Sequence, residues 1–232
     1  TQMPAVAGQL RRIQTVWREP VSAHQACEWA GQVRRWADEA VEQALPEAAA
    51  LAVTLQPEQL EHLSRKMQKQ RQDFAERQLD VPAAKRRDEA TDKLVGRYER
   101  VFGTLTPVQR QAVADAVAAM DDPVRVDAEQ RRHQQDLLAT LQLIQRERDT
   151  PAAAQARLKA LAGRWRQASP DIVAWRDQVE QRHCSLLAHL HASATPAQRA
   201  AGVEQLAGWE ADARSLAVVV AGSGSDAVIG SR

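Results

Sequence analysis

Apolar residues recur along this chain with the spacing of amphipathic helices. Four stripes follow it: Leu60, Leu63, Met67 and Phe74; Ala90, Leu94, Tyr98, Val101 and Leu105; Ile172, Trp175, Val179, Leu186 and Leu190; and Leu206, Trp209, Ala213, Leu216 and Val220. Stripes this narrow are typical of helices that pack against other helices. Alternating runs of Val, Ile, Thr and Tyr, which would indicate strands, are missing. The pattern predicts an all-α protein without a sheet.

Ten prolines separate the helix-forming segments. Proline is favoured in the first turn of a helix and disrupts a helix interior. Several prolines follow good N-cap residues, namely Thr106, Asp122, Thr150, Ser169 and Thr195. We therefore expect a multi-helix bundle of about eight helices with capped, proline-marked N-termini. It should form a single domain over residues 1–221, followed by a disordered Gly/Ser-rich tail over residues 222–232.

Two segments keep a helix-forming composition but lose most of their apolar anchors. They are SRKMQKQRQ (64–72) and DAEQRRHQQD (127–136). A helix that is polar around most of its circumference has no broad face to bury in a core. We expect long helices here that are solvated on most sides, and this makes the predicted bundle elongated.

The tetrad Thr-Pro-x-Gln occurs twice, and a third copy keeps only the proline and the glutamine. The full copies are Thr106-Pro107-Val108-Gln109 and Thr195-Pro196-Ala197-Gln198, and the partial copy is Gln56-Pro57-Glu58-Gln59. At a helix start, the threonine would be the N-cap, the proline the first helical residue and the glutamine the third. This arrangement is a capping box. The tetrads are therefore predicted to start helices, and no ligand is needed to explain them.

Composition narrows the class of protein. The chain holds 31 Lys and Arg against 30 Asp and Glu, so its formal net charge is +1. This balance gives no overall reason to expect binding to nucleic acid or to an anionic membrane. The longest apolar run, LAVVVAG (216–222), is far shorter than the roughly 20 residues that span a bilayer. Cys27 and Cys184 permit one disulfide in an oxidising compartment or two buried thiols in a reducing one, and we favour two free, buried thiols.

Candidate metal ligands lie close together in the last third of the chain. Glu180 and His183 form one Glu-x-x-His pair, whereas a di-iron bundle needs two such pairs and two further glutamates. Cys184 and His191 are about two helical turns apart, which is too far for one zinc ion. His189 and His191 are two positions apart and do not face each other on a helix. We predict no metal site and interpret His183 as a histidine at the edge of the core.

Motifs that carry catalysis or hold cofactors do not occur. The chain has no Walker loop, no dinucleotide-binding glycine fingerprint, no His-Glu-x-x-His and no Gly-x-Ser-x-Gly elbow. We therefore expect no catalytic residue, no cofactor and no enzymatic activity. An enzyme whose site carries no familiar motif remains an alternative.

Three segments resemble a family of proteobacterial envelope lipoproteins that carry a domain of unknown function. They are LPEAAALAVTLQPEQLEHLSRKMQKQRQDFAE (45–76), RYERVFGTLTPVQRQAVADAV (97–117) and WRDQVEQRHCSLLAHLHASATPAQR (175–199). The resemblance extends roughly from Gln2 to Ala217. It implies an exported, lipid-anchored helical protein with no assigned activity. The chain begins at Thr1 without a methionine, so we expect any signal peptide and lipid-attachment cysteine to have been removed.

A second similarity concerns a motif alone. Leu105-Thr106-Pro107-Val108-Gln109 is similar to the Leu-Thr-x-x-Gln of the periplasmic chaperones Spy and CpxP, which hold unfolded proteins without ATP. The second copy has Ala194 in place of the leucine, and the partial copy has Gln56 in place of the threonine. The similarity implies an ATP-independent chaperone.

We accordingly expect a non-enzymatic envelope protein that binds other proteins, as an ATP-independent periplasmic chaperone or an assembly factor. The alternative is a structural adaptor with one fixed envelope partner. Expected partners are unfolded clients or that envelope protein, not nucleic acid. The expected location is the periplasm, where a lipid anchor outside this chain would attach the full-length protein to the outer membrane.

Overall fold

The structure is a computed structural model that describes residues 2–226, with side chains described up to residue 218. Its elements are α1 (Met3–Val16), α2 (Ala23–Ala52), α3 (Pro57–Phe74), a π-helix (Ala75–Leu79), α4 (Ala83–Phe102), α5 (Pro107–Met120), α6 (Pro123–Arg146), α7 (Pro151–Arg166), α8 (Pro170–Ala192) and α9 (Pro196–Asp226). The described residues contain no strand, which confirms an all-α protein, with nine α-helices where about eight were expected. Within them, no helix is both long and apolar enough to cross a membrane.

Most of the prolines mark helix starts, as predicted. Proline is the first residue of six helices: α3, α5, α6, α7, α8 and α9. Pro46 is an exception, because it lies inside α2. Proline there removes one intrahelical hydrogen bond. The flanking residues are strong helix formers, and Leu45 and Ala49 on either side are 7% and 1% exposed, so their packing supports a continuous helix.

The predicted C-terminal tail begins inside a helix. α9 ends at Asp226 and therefore includes residues 222–226 of the segment expected to be disordered. Residues 227–232 lie outside the described residues, and the prediction of a tail stays a prediction there.

The chain divides into two compact units, which we call unit 1 and unit 2. Unit 1 takes its residues from the segments 1–30, 89–119 and 181–232, and unit 2 from the segments 31–88 and 120–180. Each unit has its own buried apolar cluster. The division does not test independent folding, so the single domain over residues 1–221 stays a prediction.

Aromatic residues form the centre of unit 1. The ring centroid of Trp17 lies 5.4 Å from that of Phe102 and 6.4 Å from that of Trp29. Tyr98 packs beside Phe102, and burial raises the pKa of Tyr98 to about 12. A Cβ atom at Gly202 would lie 2.3 Å from the indole Nε1 of Trp17, so only glycine allows α9 to approach this ring.

A disulfide joins Cys27 of α2 to Cys184 of α8, so the expectation of two free thiols is wrong. The two Cα atoms are 5.3 Å apart, within the range that a disulfide spans. The cysteines are separated by 157 positions in the sequence, and helix packing alone brings them together. Residue spacing carries no signal for such a long-range contact.

Unit 2 has an aliphatic core. Its buried residues are Leu45, Ala49, Ala52, Leu60, Leu141, Ile144, Ala154, Leu158 and Leu161. Ion pairs surround this core. Asp121, whose side chain is 9% exposed, accepts hydrogen bonds from Arg86 Nε at 2.9 Å and Nη2 at 2.7 Å, and Arg87 Nε also bonds it at 2.7 Å. The hydrogen bond and charge of Arg86, followed by those of Arg87, hold the pKa of Asp121 below its ordinary value.

The polar segment 127–136 packs more closely than expected. Asp127 is 6% exposed, and the side chain of Glu129 is 13% exposed. Burial would raise the pKa of Glu129, but Arg132 and Arg176 bond its carboxylate at 3.1 Å and 2.8 Å and hold the pKa below its ordinary value. Pairing of opposite charges thus replaces the missing apolar anchors, and the expectation of a segment solvated on most sides is wrong here. Segment 64–72 is mostly exposed, as expected.

Candidate functional site

Both full Thr-Pro-x-Gln tetrads form the predicted capping boxes. The backbone N–H of Thr106 donates to Gln109 Oε1 at 2.9 Å, and the N–H of Gln109 donates to Thr106 Oγ1 at 3.3 Å. The corresponding distances in the second tetrad, between Thr195 and Gln198, are 3.0 Å and 3.2 Å. Pro107 and Pro196 are the first residues of α5 and α9. The tetrads therefore start these two helices.

The two tetrads also meet in space. Gln109 Nε2 donates to Gln198 Oε1 at 3.1 Å, and Gln198 Nε2 donates to Gln109 Oε1 at 2.9 Å, across 89 positions of sequence. Gln109 is 1% exposed and Gln198 is 6% exposed. Because each amide both donates to and accepts from the other, the paired side chains satisfy polar atoms that would be costly to bury alone.

Each glutamine also bonds the connection that precedes the other tetrad. Gln198 Nε2 donates to the carbonyl of Thr104 at 2.8 Å, and Gln109 Nε2 donates to the carbonyl of Ser193 at 3.3 Å. The arginine after each glutamine repeats the pattern, because Arg110 Nε and Arg199 Nε donate to the carbonyls of Leu105 and Ala194. These reciprocal contacts indicate a local two-fold arrangement. We call this set of contacts the glutamine lock.

Sequence reasoning found the caps but missed the lock. The partial copy in unit 2 shows why the capping pattern alone was insufficient. Gln59 accepts a hydrogen bond from the N–H of Gln56 at 2.8 Å, yet both side chains are exposed. A capping glutamine can therefore be buried or exposed. The available signal was the shared arginine after Gln109 and Gln198, which Gln59 lacks.

A groove runs along the surface of unit 1 beside the lock. It has a volume of about 490 Å³ and lies between α5 and α8. Ala112, Ala116, Ala119 and Leu186 form its apolar part; Asp115, Gln181, Arg182, Ser185 and His189 form its polar part. Since Gln109 at the start of α5 contacts Ser193 after the end of α8, the two helices run antiparallel along it.

The walls of the groove are fixed at several points. The glutamine lock holds the start of α5, and the disulfide of Cys184 holds α8 to α2. His191, near the end of α8, is fully buried and bonded through both ring nitrogens. A groove with fixed walls loses little conformational entropy when it binds a partner. The groove is therefore a preformed concave surface of unit 1.

The histidines and the acidic residue considered as metal ligands are placed apart or already engaged. Glu180 forms an ion pair with Arg34, and His183 is exposed. Cys184 is in the disulfide, His191 is bonded inside the core, and His189 lines the groove. Among the residues that the structure describes, no group of three or more His, Cys, Asp or Glu is arranged to hold a metal ion. The absence of a metal stays a prediction.

These features define an all-α protein with a disulfide, a glutamine lock and an open groove in unit 1. A model of a family of unknown function, DUF6279, matches residues 1–170, and the chain belongs to this family. The match includes the first tetrad and ends before the second. No curated protein and no solved structure matches the chain.

Proposed function

We propose that this protein is a non-enzymatic protein of the cell envelope that binds segments of other polypeptides in the groove between α5 and α8. The groove is the observation that carries the proposal. Its apolar part offers Ala112, Ala116 and Ala119, whose small side chains let another chain approach closely, over the buried Leu186. Its polar rim carries Arg182 and other hydrogen-bonding groups, which suits adaptable contact with varied sequences.

The disulfide supports a location outside the cytoplasm. Cysteine pairs such as Cys27 and Cys184 stay oxidised in secreted proteins and in the periplasm, whereas thiols in the cytosol are kept reduced. Any chaperone activity in such a compartment would operate without ATP, by binding alone. The proposal includes a lipid anchor that attaches the full-length protein to the outer membrane. The similarity of the first tetrad to the motif of Spy and CpxP favours a chaperone.

A light-scattering assay tests the proposal. The protein is mixed at near-stoichiometric ratio, without nucleotide, with a chemically unfolded model substrate, and aggregation is followed over time. We expect slower aggregation. Ala119→Arg, which places a long charged side chain in the groove, should weaken the effect, whereas Ala118→Arg should not, because Ala118 is an exposed neighbour outside the groove.

The outcomes separate the alternatives. An unchanged aggregation rate at several-fold excess of the protein would reject the chaperone. Equal effects of the two arginine variants would reject the groove as its site. The adaptor alternative rests on a different observation, the exposed apolar residues of α2 in unit 2. Val33, Val41 and Leu51 are 60%, 48% and 63% exposed, and a fixed envelope partner could cover them.

A further inference from the structure

The imidazole of His191 bonds the connection between α1 and α2 to the core of unit 1. His191 is fully buried, and its Nε2 lies 2.7 Å from the carbonyl oxygen of Trp17. Its Nδ1 lies 3.3 Å from the backbone nitrogen of Val21. Trp17 and Val21 are 3% and 5% exposed, so water does not compete for these contacts. His191 thus contacts the connection near both of its ends.

These partners select one protonation state of the ring. The N–H of Val21 can only donate, so Nδ1 must be an unprotonated acceptor. The carbonyl of Trp17 can only accept, so Nε2 must carry the proton. The neutral tautomer satisfies both partners. The doubly protonated ring would place a second N–H against the N–H of Val21 and would leave both donors without an acceptor.

The surroundings of His191 favour the same neutral state. Burial lowers the pKa of His191, the hydrogen bond to the Trp17 carbonyl opposes that shift, and the charge of Arg199 on α9 lowers the pKa further. The ring packs against the aromatic side chains of Trp17, at 4.8 Å between centroids, and Phe102 of α4, at 6.5 Å, neither of which titrates. Arg199 is the charged side chain that acts on the ring, and it opposes protonation.

The attachment of α1 depends on the same connection. Trp17, which follows α1, fits against Gly202 of α9. Along α1 itself, Arg11 and Gln14 donate to Glu210 of α9 at 3.1 Å and 2.8 Å. If the connection left the core, Trp17 would leave Gly202 and α1 would lose its largest apolar neighbour, with the smaller contacts of Ala7, Leu10 and Ile13 left. The contacts with Glu210 would remain as partly exposed polar contacts, which stabilise little by themselves.

We propose that His191 is an acid-sensitive latch: the neutral ring holds the α1–α2 connection on unit 1, and protonation releases the connection together with α1. Release uncovers Trp17 and Phe102, and with them an apolar surface. The opening is local, because it breaks the contacts of α1 with α9 and leaves the disulfide and the glutamine lock in place. This latch is independent of the proposed function, since its opening can be measured without any partner.

Hydrogen–deuterium exchange of the whole, disulfide-bonded protein tests the latch. Protection factors, corrected for the intrinsic pH dependence of exchange, are compared between pH 7.5 and pH 5 for peptides covering residues 3–22. Opening is coupled to the uptake of one proton by His191. The protection factor should therefore fall by about tenfold for each pH unit below the pKa that His191 has in the open state. Peptides of α7, in unit 2, should show no matching loss. A protection factor for residues 3–22 that is constant over this range would overturn the latch.

His191→Gln separates titration from packing. The amide can donate to the Trp17 carbonyl and accept from Val21 but does not titrate, so residues 3–22 should keep constant protection over the same pH range. His62→Gln, which changes an exposed histidine of unit 2, should behave as the wild type. If His191→Gln loses protection at low pH as the wild type does, the latch is wrong. If that variant does not fold, an NMR titration of the wild type follows the His191 imidazole and α1 together. The latch is rejected if His191 becomes protonated while α1 stays closed.

Discussion

Unit 1 and unit 2 are both helical, but they hold their buried polar groups in different ways. In unit 1, neutral groups pair with each other: the amides of Gln109 and Gln198, and the imidazole of His191 with backbone groups. In unit 2, charged groups pair: Asp121 with Arg86, and Glu129 with Arg176. Unit 1 also contains a covalent cross-link, because both cysteines of the disulfide belong to it.

This difference predicts which conditions weaken each unit. Neutral hydrogen bonds inside a core need both partners in place but respond little to salt. Ion pairs lose strength when acid neutralises the carboxylate, and salt screens the exposed ones. Unit 2 should therefore lose stability in strong acid as a whole, whereas unit 1 should be sensitive to reducing agents and should respond to mild acid only by the local opening at His191. The following predictions test this contrast, starting from the largest expected effect.

Removal of the carboxylate of Asp121 should destabilise unit 2 most. Asp121→Ala leaves Arg86, whose side chain is 11% exposed, without its partner. Breaking a buried ion pair in this way costs about 3–5 kcal/mol. Asp38→Ala is the control, because Asp38 pairs with Arg166 at the surface and should cost at most about 1 kcal/mol. Urea unfolding measures both, and similar losses would remove the special role of Asp121.

The ion pair of Asp121 and Arg86 also predicts that unit 2 loses stability in strong acid. The folded-state pKa of Asp121 is lowered, so as pH falls the unfolded chain takes up the proton first. The pair thus contributes its full stability above the ordinary aspartate pKa of about 4, and this contribution is lost as pH falls further. Unfolding free energies of the wild type and Asp121→Ala should converge in strong acid. A difference that is constant with pH would contradict the assignment.

Loss of the disulfide should weaken unit 1. The double variant Cys27→Ala/Cys184→Ala removes a bond that restricts the unfolded chain over a long loop, and such losses cost about 2–5 kcal/mol. Thermal unfolding with and without a reducing agent checks it. The reducing agent should lower the melting temperature of the wild type and leave that of the double variant unchanged. A wild type that is insensitive to complete reduction would show that the bond adds no stability.

The glutamine lock should contribute more to the free energy of unfolding than a helix cap does. Gln109→Ala removes both amide–amide bonds and leaves the N–H of Thr106 without its acceptor, while Gln198 keeps its bonds to Thr195 and Thr104. The expected cost is about 2 kcal/mol. Gln59→Ala removes an exposed capping glutamine in unit 2 and should cost at most about 1 kcal/mol. The double variant Gln109→Ala/Gln198→Ala should lose less free energy of unfolding than the sum of the losses of the two single variants. Additive losses would show that the amides act separately.

The caps themselves should give the smallest effect. Thr106→Ala and Thr195→Ala each remove an oxygen that accepts one backbone N–H at a helix start. The usual loss for an N-cap threonine is about 1 kcal/mol. Binding of partner proteins should survive wherever the fold survives. Loss of binding with an unchanged melting curve would give the threonines a functional role.

The helices and their starts could be predicted because the determining interactions are local. Pro107 and Thr106 act on residues of the same helical turn, and a stripe such as Leu94 to Leu105 needs only the helical period. The position of Pro46 inside α2 was not predicted, because packing of Leu45 and Ala49 outweighs the local cost of an interior proline. The close packing of the polar segment 127–136 was not predicted, because it depends on charge pairs, of which the one between Glu129 and Arg176 joins α6 to α8.

Local patterns of residues are sufficient to predict that the chain is helical, where most helices begin, and which residues form the two capping boxes. Three features became visible in the folded chain alone: the disulfide between Cys27 and Cys184, the pairing of Gln109 with Gln198, and the groove between α5 and α8. The disulfide and the glutamine pair join residues 157 and 89 positions apart, and all three features depend on which helix faces pack together. Helical periodicity shows that a face is apolar, but it contains no information about the face that it meets.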